Sequence, residues 1–274
     1  MNNYSILTTL YKNDKPEQLK ESIESMLSQT VLTNDYVIVA DGPLTDELDD
    51  VLASYKAAHD FFHIVRLPEN VGLGEALREG LTHCKNDLVA RLDADDLSMP
   101  NRCELQLALF EKEDDLVIVG SDMYEFADDP NVIVDLKTMP STPEQIYKYG
   151  KRRNAFNHSS VMYRKSIIEK HGSYSSMRRS QDLELFSKIL HSGCKCRNIS
   201  EPLIKFRCGD TRVQRKKKWS NVKSDLKIFN QNRKMGYAGL LDYTYVLVTQ
   251  IVFYLLPAKI AGFLYMKLFR KKAR

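Results

Sequence analysis

Along the first third of the chain, short apolar runs alternate with longer stretches whose apolar residues recur every three or four positions. The runs Tyr4-Ser5-Ile6-Leu7-Thr8-Thr9-Leu10-Tyr11, Tyr36-Val37-Ile38-Val39-Ala40, Phe62-His63-Ile64-Val65-Arg66-Leu67 and Leu88-Val89-Ala90-Arg91-Leu92 predict buried strands. Leu19, Ile23, Met26 and Leu27 fall on one face of a helix that Pro16 opens, with Asp14 expected as its N-cap and Glu17 at the capping-box position. Further helix-length segments run from Leu44 to His59 and up to about Cys84, and Pro100 marks the start of another. Alternation of this kind calls for an α/β fold with a mostly parallel sheet, right-handed crossovers and flanking helices. Such a sheet binds ligands at the carboxyl ends of its strands. Thr8 to Tyr11, Asp41-Gly42, Asn70 to Gly74 and Asp93 to Asp96 would gather there, on one edge.

Composition adds limits. A chain of 274 residues can bury a large core without disulfide or metal staples. The net charge of +4 hides an asymmetry, because acids concentrate in the first half while the end of the chain is strongly basic. That asymmetry points to an anionic surface near the C-terminus. The five cysteines (Cys84, Cys103, Cys194, Cys196 and Cys208) are odd in number and do not match the paired spacing of a structural zinc site. With no basic region and apolar signal core at the N-terminus, the expectation is a cytosolic protein with reduced thiols.

Asp93-Ala94-Asp95-Asp96 is an odd ending for a core strand. Carboxylates there need solvent, a cation or a metal. Mg²⁺ and Mn²⁺ often take only one or two carboxylates and leave other positions to substrate phosphates. The rival reading is a solvated acidic turn ahead of the helix at Pro100. Gly72-Leu73-Gly74 is a fragment of a dinucleotide fingerprint with Leu77 where the third glycine belongs, so it lends little to the alternative of a nucleotide-binding oxidoreductase.

Together, Thr8-Thr9-Leu10-Tyr11, Val39-Ala40-Asp41-Gly42, Glu69-Asn70-Val71-Gly72-Leu73 and Ala90-Arg91-Leu92-Asp93-Ala94-Asp95-Asp96 resemble the family 2 glycosyltransferases of the GT-A fold. The likeness is nearest to bacterial enzymes that build capsule, exopolysaccharide or O-antigen repeats. It continues through Asn157-His158-Ser159-Ser160-Val161-Met162-Tyr163-Arg164 and Ser180-Gln181-Asp182-Leu183-Glu184-Leu185, covering roughly residues 4 to 215. The resemblance implies that Thr8, Tyr11, Asp41, Asn70, Gly72, Arg91 and Asp93 bind the donor nucleotide of a nucleotide-diphospho-sugar. It implies that Asp95 holds Mn²⁺ or Mg²⁺ against the donor diphosphate, and that Asp182 is the catalytic base of an inverting transfer to a saccharide or lipid-linked oligosaccharide. A divalent ion offsets charge on the departing diphosphate, and a carboxylate opposite takes the proton of the attacking hydroxyl. Each assignment has a plainer rival: Asp41-Gly42 as a turn, and Asp182 as a first-turn helix acid with Glu184 as the base. His158 is a candidate pocket residue. Many relatives carry Arg-x-His after the base, whereas this chain reads Phe206-Arg207-Cys208-Gly209-Asp210-Thr211-Arg212. Asp210 or water would then complete the metal shell, and Arg207 or Arg212 would grip the diphosphate.

The division expected is a GT-A domain over 1–214 and a basic, amphipathic helical extension over 215–274. The extension opens with Arg215-Lys216-Lys217-Lys218-Trp219 and a helix from Leu226 to Met235. A nearly apolar run from Tyr243 to Leu256 stops at Pro257, and Ile260 to Phe269 then alternates with Lys and Arg. The apolar run is shorter than the roughly 20 residues of a spanning helix. Interfacial helices holding the enzyme at the inner face of the cell membrane are the expectation, against a buried core helix. Nucleic acid is not expected, since no aromatic-interleaved RNA motif accompanies the cations. A non-catalytic membrane-bound scaffold is the remaining alternative.

Overall fold

The computed structural model describes residues 3–209 and 218–270. The first half is the expected alternation: β1 (Tyr4–Leu10), α1 (Pro16–Leu27), β2 (Asp35–Ala40), α2 (Asp46–Ala58), β3 (Phe62–Arg66), α3 (Leu73–His83) and β4 (Leu88–Arg91). There follow β5 (Leu97–Ser98), α4 (Arg102–Lys112), β6 (Leu116–Phe126), β7 (Ile133–Lys137), α5 (Pro143–Gly150), a 3₁₀ turn (His158–Ser160), β8 (Met162–Arg164), α6 (Lys165–Lys170), α7 (Gln181–His191) and β9 (Lys195–Arg207). The C-terminal helices are α8 (Trp219–Lys234), α9 (Leu240–Leu255) and α10 (Ala258–Phe269).

Among the described residues the strands form one nine-stranded sheet in the order β3-β2-β1-β4-β8-β6-β9-β5, with β7 alongside β6. β3, β2, β1 and β4 run parallel, as do β6 and β9, while β8 joins the two groups by antiparallel pairing with β4 and β6. Side chains alternate across a strand, so the sheet feeds two cores. On one face Ile6, Leu10, Tyr36 and Ile38 pack against Leu19, Ile23 and Met26 of α1, Leu48, Val51 and Leu52 of α2, and Leu107 and Phe110 of α4. On the other, Leu7, Val37 and Val39 meet Ala76, Leu77 and Leu81 of α3 and Leu185, Phe186 and Ile189 of α7.

Two local expectations change. Asp14 does not cap α1; Lys15 occupies that position without a side-chain cap, and the Asp14 carboxylate instead accepts the Tyr11 N–H at 2.8 Å. Pro16 at the first helical position has no N–H to satisfy, which removes part of the demand for a cap. The alternation Ser159-Ser160-Val161-Met162-Tyr163 suits a strand, whereas the structure has a 3₁₀ turn over His158–Ser160 followed by the short β8.

α8 and α9 pack on α7. Ile228 and Phe229 of α8 and Val246 of α9 form a small core with Leu183 of α7. Among the described residues no helix is long and apolar enough to cross a membrane.

Candidate active site

The carboxyl ends of β1, β2 and β4 converge as the parallel register requires. Asp41, directly after β2, is buried, and both its oxygens are taken: Oδ1 accepts the Val71 N–H at 2.7 Å, and Oδ2 accepts Asn70 Nδ2 at 2.9 Å and the Gly72 N–H at 3.0 Å. Gly42 has φ +90, and a Cβ there would lie 2.8 Å from the Asn70 nitrogen. Asp41-Gly42 is thus a turn, as its plainer rival has it, and the Asp41 carboxylate gathers the 70–72 loop. The Gly72 N–H is spent on Asp41, unlike the free N–H that a dinucleotide fingerprint presents to a diphosphate. Gly74 opens α3 in close contact with the segment leading to α7, where an added Cβ would sit 2.2 Å from the Ser175 carbonyl oxygen. Thr8 is buried on β1 with its hydroxyl 3.3 Å from the Tyr36 hydroxyl, and Tyr11 is exposed at the strand's exit.

Arg91, the last residue of β4, is fully buried and ion-paired to Asp93. Its Nε and Nη1 have no hydrogen-bond partner, so two buried donors remain for a ligand to satisfy. Asp93 is held by its backbone, the N–H donating to Ser159 Oγ at 3.3 Å and the carbonyl accepting Ser22 Oγ at 3.0 Å. Burial and then the negative charge of Asp93 push Asp95 up to about 6. Asp96 is buried, accepts the Arg207 N–H at 3.0 Å, and is driven well above the usual carboxylate range by burial and by both neighbouring acids. Asp14 joins the cluster: burial, with the charges of Asp95 and Asp93 behind it, pushes it up to about 6 despite the hydrogen bond from Tyr11. Crowded carboxylates with raised proton affinity are what a divalent cation relieves.

Arg207 acts as a strut for this acid turn. Its Nε donates to the Asp95 carbonyl at 3.1 Å, Nη1 to the Asp128 carbonyl at 3.2 Å, Nη2 pairs with Glu21, and the guanidinium lies 4.6 Å from the Phe126 ring centroid. These contacts commit the side chain to the protein. Asp210 and Arg212, the other residues considered after the base, lie outside the described residues.

Asp182 sits in the first turn of α7 and accepts Asn154 Nδ2 at 2.6 Å. Burial raises its pKa, against hydrogen bonding from the helix N-terminus and the attraction of Arg91. Glu184 is differently placed, since its carboxylate accepts the Ser175 hydroxyl and pairs with Lys188 at 2.9 Å. Despite partial burial, those contacts lower its pKa, leaving it the poorer proton acceptor. His158 is held by the Tyr174 hydroxyl at 2.9 Å, and burial followed by the charge of Arg91 keeps its ring neutral. Tyr174, itself buried, feels the charges of Arg91, Asp182 and Asp93. Tyr174 thus links His158, through its hydroxyl, to the charges of Arg91, Asp182 and Asp93. Asn154, Tyr174 and Asp14 belong to this constellation and were not legible as site residues; only the fold brings them there.

The chain is similar to known proteins in sequence and in fold. The family model described as Glycosyl transferase family 2 matches residues 5–172. An uncharacterized glycosyltransferase of Haemophilus influenzae is 32% identical over 268 residues, covering 98% of this chain and 99% of its own. The amylovoran biosynthesis glycosyltransferase AmsE of Erwinia amylovora is 31% identical, with 96% and 98% covered. The UDP-Gal:alpha-D-GlcNAc-diphosphoundecaprenol beta-1,3-galactosyltransferase of Escherichia coli is 32% identical, with 98% and 97% covered. Among solved structures, S. aureus TarS residues 1–349 in complex with UDP superposes with a TM-score of 0.59 at 12% identity, covering 97% of this chain and 72% of that one. The chain belongs to glycosyl transferase family 2 and has the GT-A fold.

Proposed function

We propose that this glycosyltransferase moves a sugar, with inversion at the anomeric carbon, from a nucleotide-diphospho-sugar to a saccharide carried on a lipid diphosphate during bacterial surface polysaccharide assembly. The observation that carries the reading is buried Arg91 at the carboxyl end of β4, ion-paired with Asp93 and left with two donors that no protein group satisfies. The full-length relation to AmsE and to the galactosyltransferase acting on a diphosphoundecaprenol-linked sugar supports the pathway class and the acceptor class.

Asp93 and Asp95 fit a divalent cation that shares its shell with substrate phosphates and water. Among the described residues no group of three or more His, Cys, Asp or Glu side chains is arranged to hold an ion, and Mg²⁺ and Mn²⁺ often take only one or two carboxylates and leave other positions to phosphates and water. Bound there, the ion would supply charge neutralisation for the departing diphosphate. The remaining work falls to the chain's own residues. Arg91 offers its unfilled donors to the diphosphate, the loop gathered by Asp41 shapes the nucleotide end, and Asn154 holds Asp182 toward the acceptor. Asp182 takes the proton from the attacking hydroxyl as the sugar–diphosphate bond breaks on the opposite face. Its raised proton affinity suits that task.

The same reading includes docking on a membrane surface. Leu241, Val248, Val252 and Leu255 of α9 and Ile260 and Phe263 of α10 are exposed apolar residues on adjacent helices. Apolar exposure on these two helices, in a segment rich in Lys and Arg, supports an interfacial role at the inner membrane face. The test is a donor panel: the protein is incubated with UDP-, GDP- and dTDP-sugars plus Mn²⁺, and nucleoside diphosphate release is measured with and without a lipid-linked saccharide. Release from one donor class, stimulated by the acceptor, is expected; no release from any donor would sink the reading.

A further inference from the structure

A cleft of about 610 Å³ lies between α5 and the first turns of α9, away from the acid turn. Lys148 and Tyr149 of α5, Arg152 and Arg153 of the following turn, and Asp242 and Tyr245 of α9 line it. Three cations face one carboxylate. The arginines are fixed in place: Arg152 Nε donates to Asp242 at 2.6 Å and its guanidinium lies 4.8 Å from the Tyr245 ring centroid, while Arg153 Nη2 donates to the Tyr245 hydroxyl at 3.4 Å. Guanidinium groups held by aromatic rings lose little freedom on binding and match the oxygens of a phosphate two at a time.

We propose that this cleft binds the diphosphate of the lipid-linked acceptor, with Lys148 and Arg153 as its cationic contacts and Arg152, paired with Asp242, framing the cleft beside them. The proposal rests on the reading of a lipid-linked acceptor given above and adds the residues that recognise it. Three relationships carry it. Asn154, which touches Asp182, is the next residue after Arg153, so the cationic turn is one peptide from the residue that holds the base. The donor diphosphate has its own partners in the unfilled donors of Arg91 and in the acid turn, so a second cationic group is surplus to the donor. The cleft's other wall, α9, carries Leu241, Val248, Val252 and Leu255 exposed, so a ligand seated at its first turn has an apolar surface beside it for a prenyl chain.

The same cations would attract the headgroup of a bulk anionic phospholipid, and the experiment separates the two sources. Full-length protein and the Lys148→Gln/Arg153→Gln variant are compared in three measurements: binding of farnesyl diphosphate in neutral detergent, KM for a diphospholipid-linked saccharide, and retention on phosphatidylglycerol vesicles. The expected result is at least a tenfold loss of farnesyl diphosphate affinity and a similar rise in acceptor KM, with donor KM and vesicle retention held. Loss of vesicle retention with unchanged acceptor KM would make the cleft a bulk headgroup site and overturn the proposal. Normal farnesyl diphosphate affinity in the variant, with transfer to the lipid-linked saccharide intact, would also overturn it while leaving the acceptor class standing. Cleft-dependent binding of farnesyl diphosphate by an enzyme that transfers only to free saccharides would do the reverse, sustaining the site and removing the acceptor.

Discussion

The Ser180 hydroxyl donates a 2.6 Å hydrogen bond to Asp225 Oδ1, tying the residue that introduces α7 to the middle of α8. Ser180 has φ +57 and ψ 24, a left-handed conformation that a non-glycine residue adopts at a cost of about 1–2 kcal/mol. Asp182 lies two residues further on. Asn232 Nδ2 to Ser187 Oγ, at 3.0 Å, is a second tie between the same two helices. The base-bearing turn is therefore positioned partly from the C-terminal helices. Asp225→Ala should lower kcat by roughly 10-fold to 100-fold, the scale of a small misplacement of a catalytic group, with donor KM unchanged. Asp225→Asn keeps the accepting oxygen and should restore most of the rate. Steady-state kinetics on both variants check this, and equal losses would reject the positioning role.

Replacing the base should separate activity from stability. Asp182→Asn is expected to reduce kcat by about 10²–10⁴-fold with donor affinity retained, the usual worth of positioned proton transfer. Burial raises the Asp182 pKa in the folded protein, so folding favours its neutral form. Stability from this group is present below the unfolded pKa and lost as pH rises through the folded value. At neutral pH the buried charge is a burden that the amide removes. The variant should thus melt higher than the parent at pH 7–8, and the gap should close on acidification through the carboxylate range. The parent's rate should fall along an acid limb lying above the ordinary carboxylate pKa of about 4. Thermal melts across pH and a kcat profile test both statements.

The parallel half of the sheet and the gathering of Asp41, Asn70 and Asp93 at its edge were legible because continuous Val, Ile and Leu runs ending in Asp have few other solutions. The strands β6 and β9 were not. β9 mixes exposed polar residues with Pro202 and pairs with β6 through register shifts, which erases the two-residue period. Asp14 was misread because an acid before Pro16 carries the same local signature whether it caps a helix or closes the preceding turn. Asn154 and Tyr174 carry no local signal, since their roles come from Asp182 and His158 in other segments. The spacing after Asp182 offers Arg207 or Arg212 as a diphosphate clamp, and the contacts of Arg207 with Glu21, Asp95 and Asp128 depend on a long-range approach that spacing does not encode.

Removing one carboxylate from the acid pair tests the metal. Asp95→Asn should abolish Mn²⁺-dependent binding of nucleoside diphosphate by the folded protein, because removing one carboxylate forfeits much of the electrostatic hold on the ion. Calorimetric titration of UDP with and without Mn²⁺ reads this directly. Tight Mn²⁺-dependent binding by folded Asp95→Asn protein would move the ion elsewhere.

Arg270, just past α10, meets Glu125 of β6 in a two-pronged contact, Nε to Oε2 and Nη2 to Oε1, both at 2.7 Å. Both side chains are buried. Glu125 precedes Phe126, whose carbonyl accepts the Cys208 N–H at 2.7 Å and whose ring underlies Arg207. The end of the chain is thus anchored on the strand that supports the strut beneath the acid turn. The sequence alone suggests that residues from Tyr243 onward dock the enzyme on a membrane and do little else. With Val246 in the α7–α8 core and Arg270 on Glu125, these residues also carry structure. Arg270→Ala strips a buried carboxylate of its guanidinium, a change that typically costs about 3–5 kcal/mol. Adding Glu125→Gln removes the charge that was left without that partner, so the double variant should recover part of the loss. Urea denaturation of the parent, both single variants and the double variant yields the coupling. A chain ending near residue 235 should accordingly unfold at lower urea than the full protein, in addition to leaving the membrane. Identical midpoints for the parent and Arg270→Ala would show that the contact carries no stability and return the tail to a purely interfacial role.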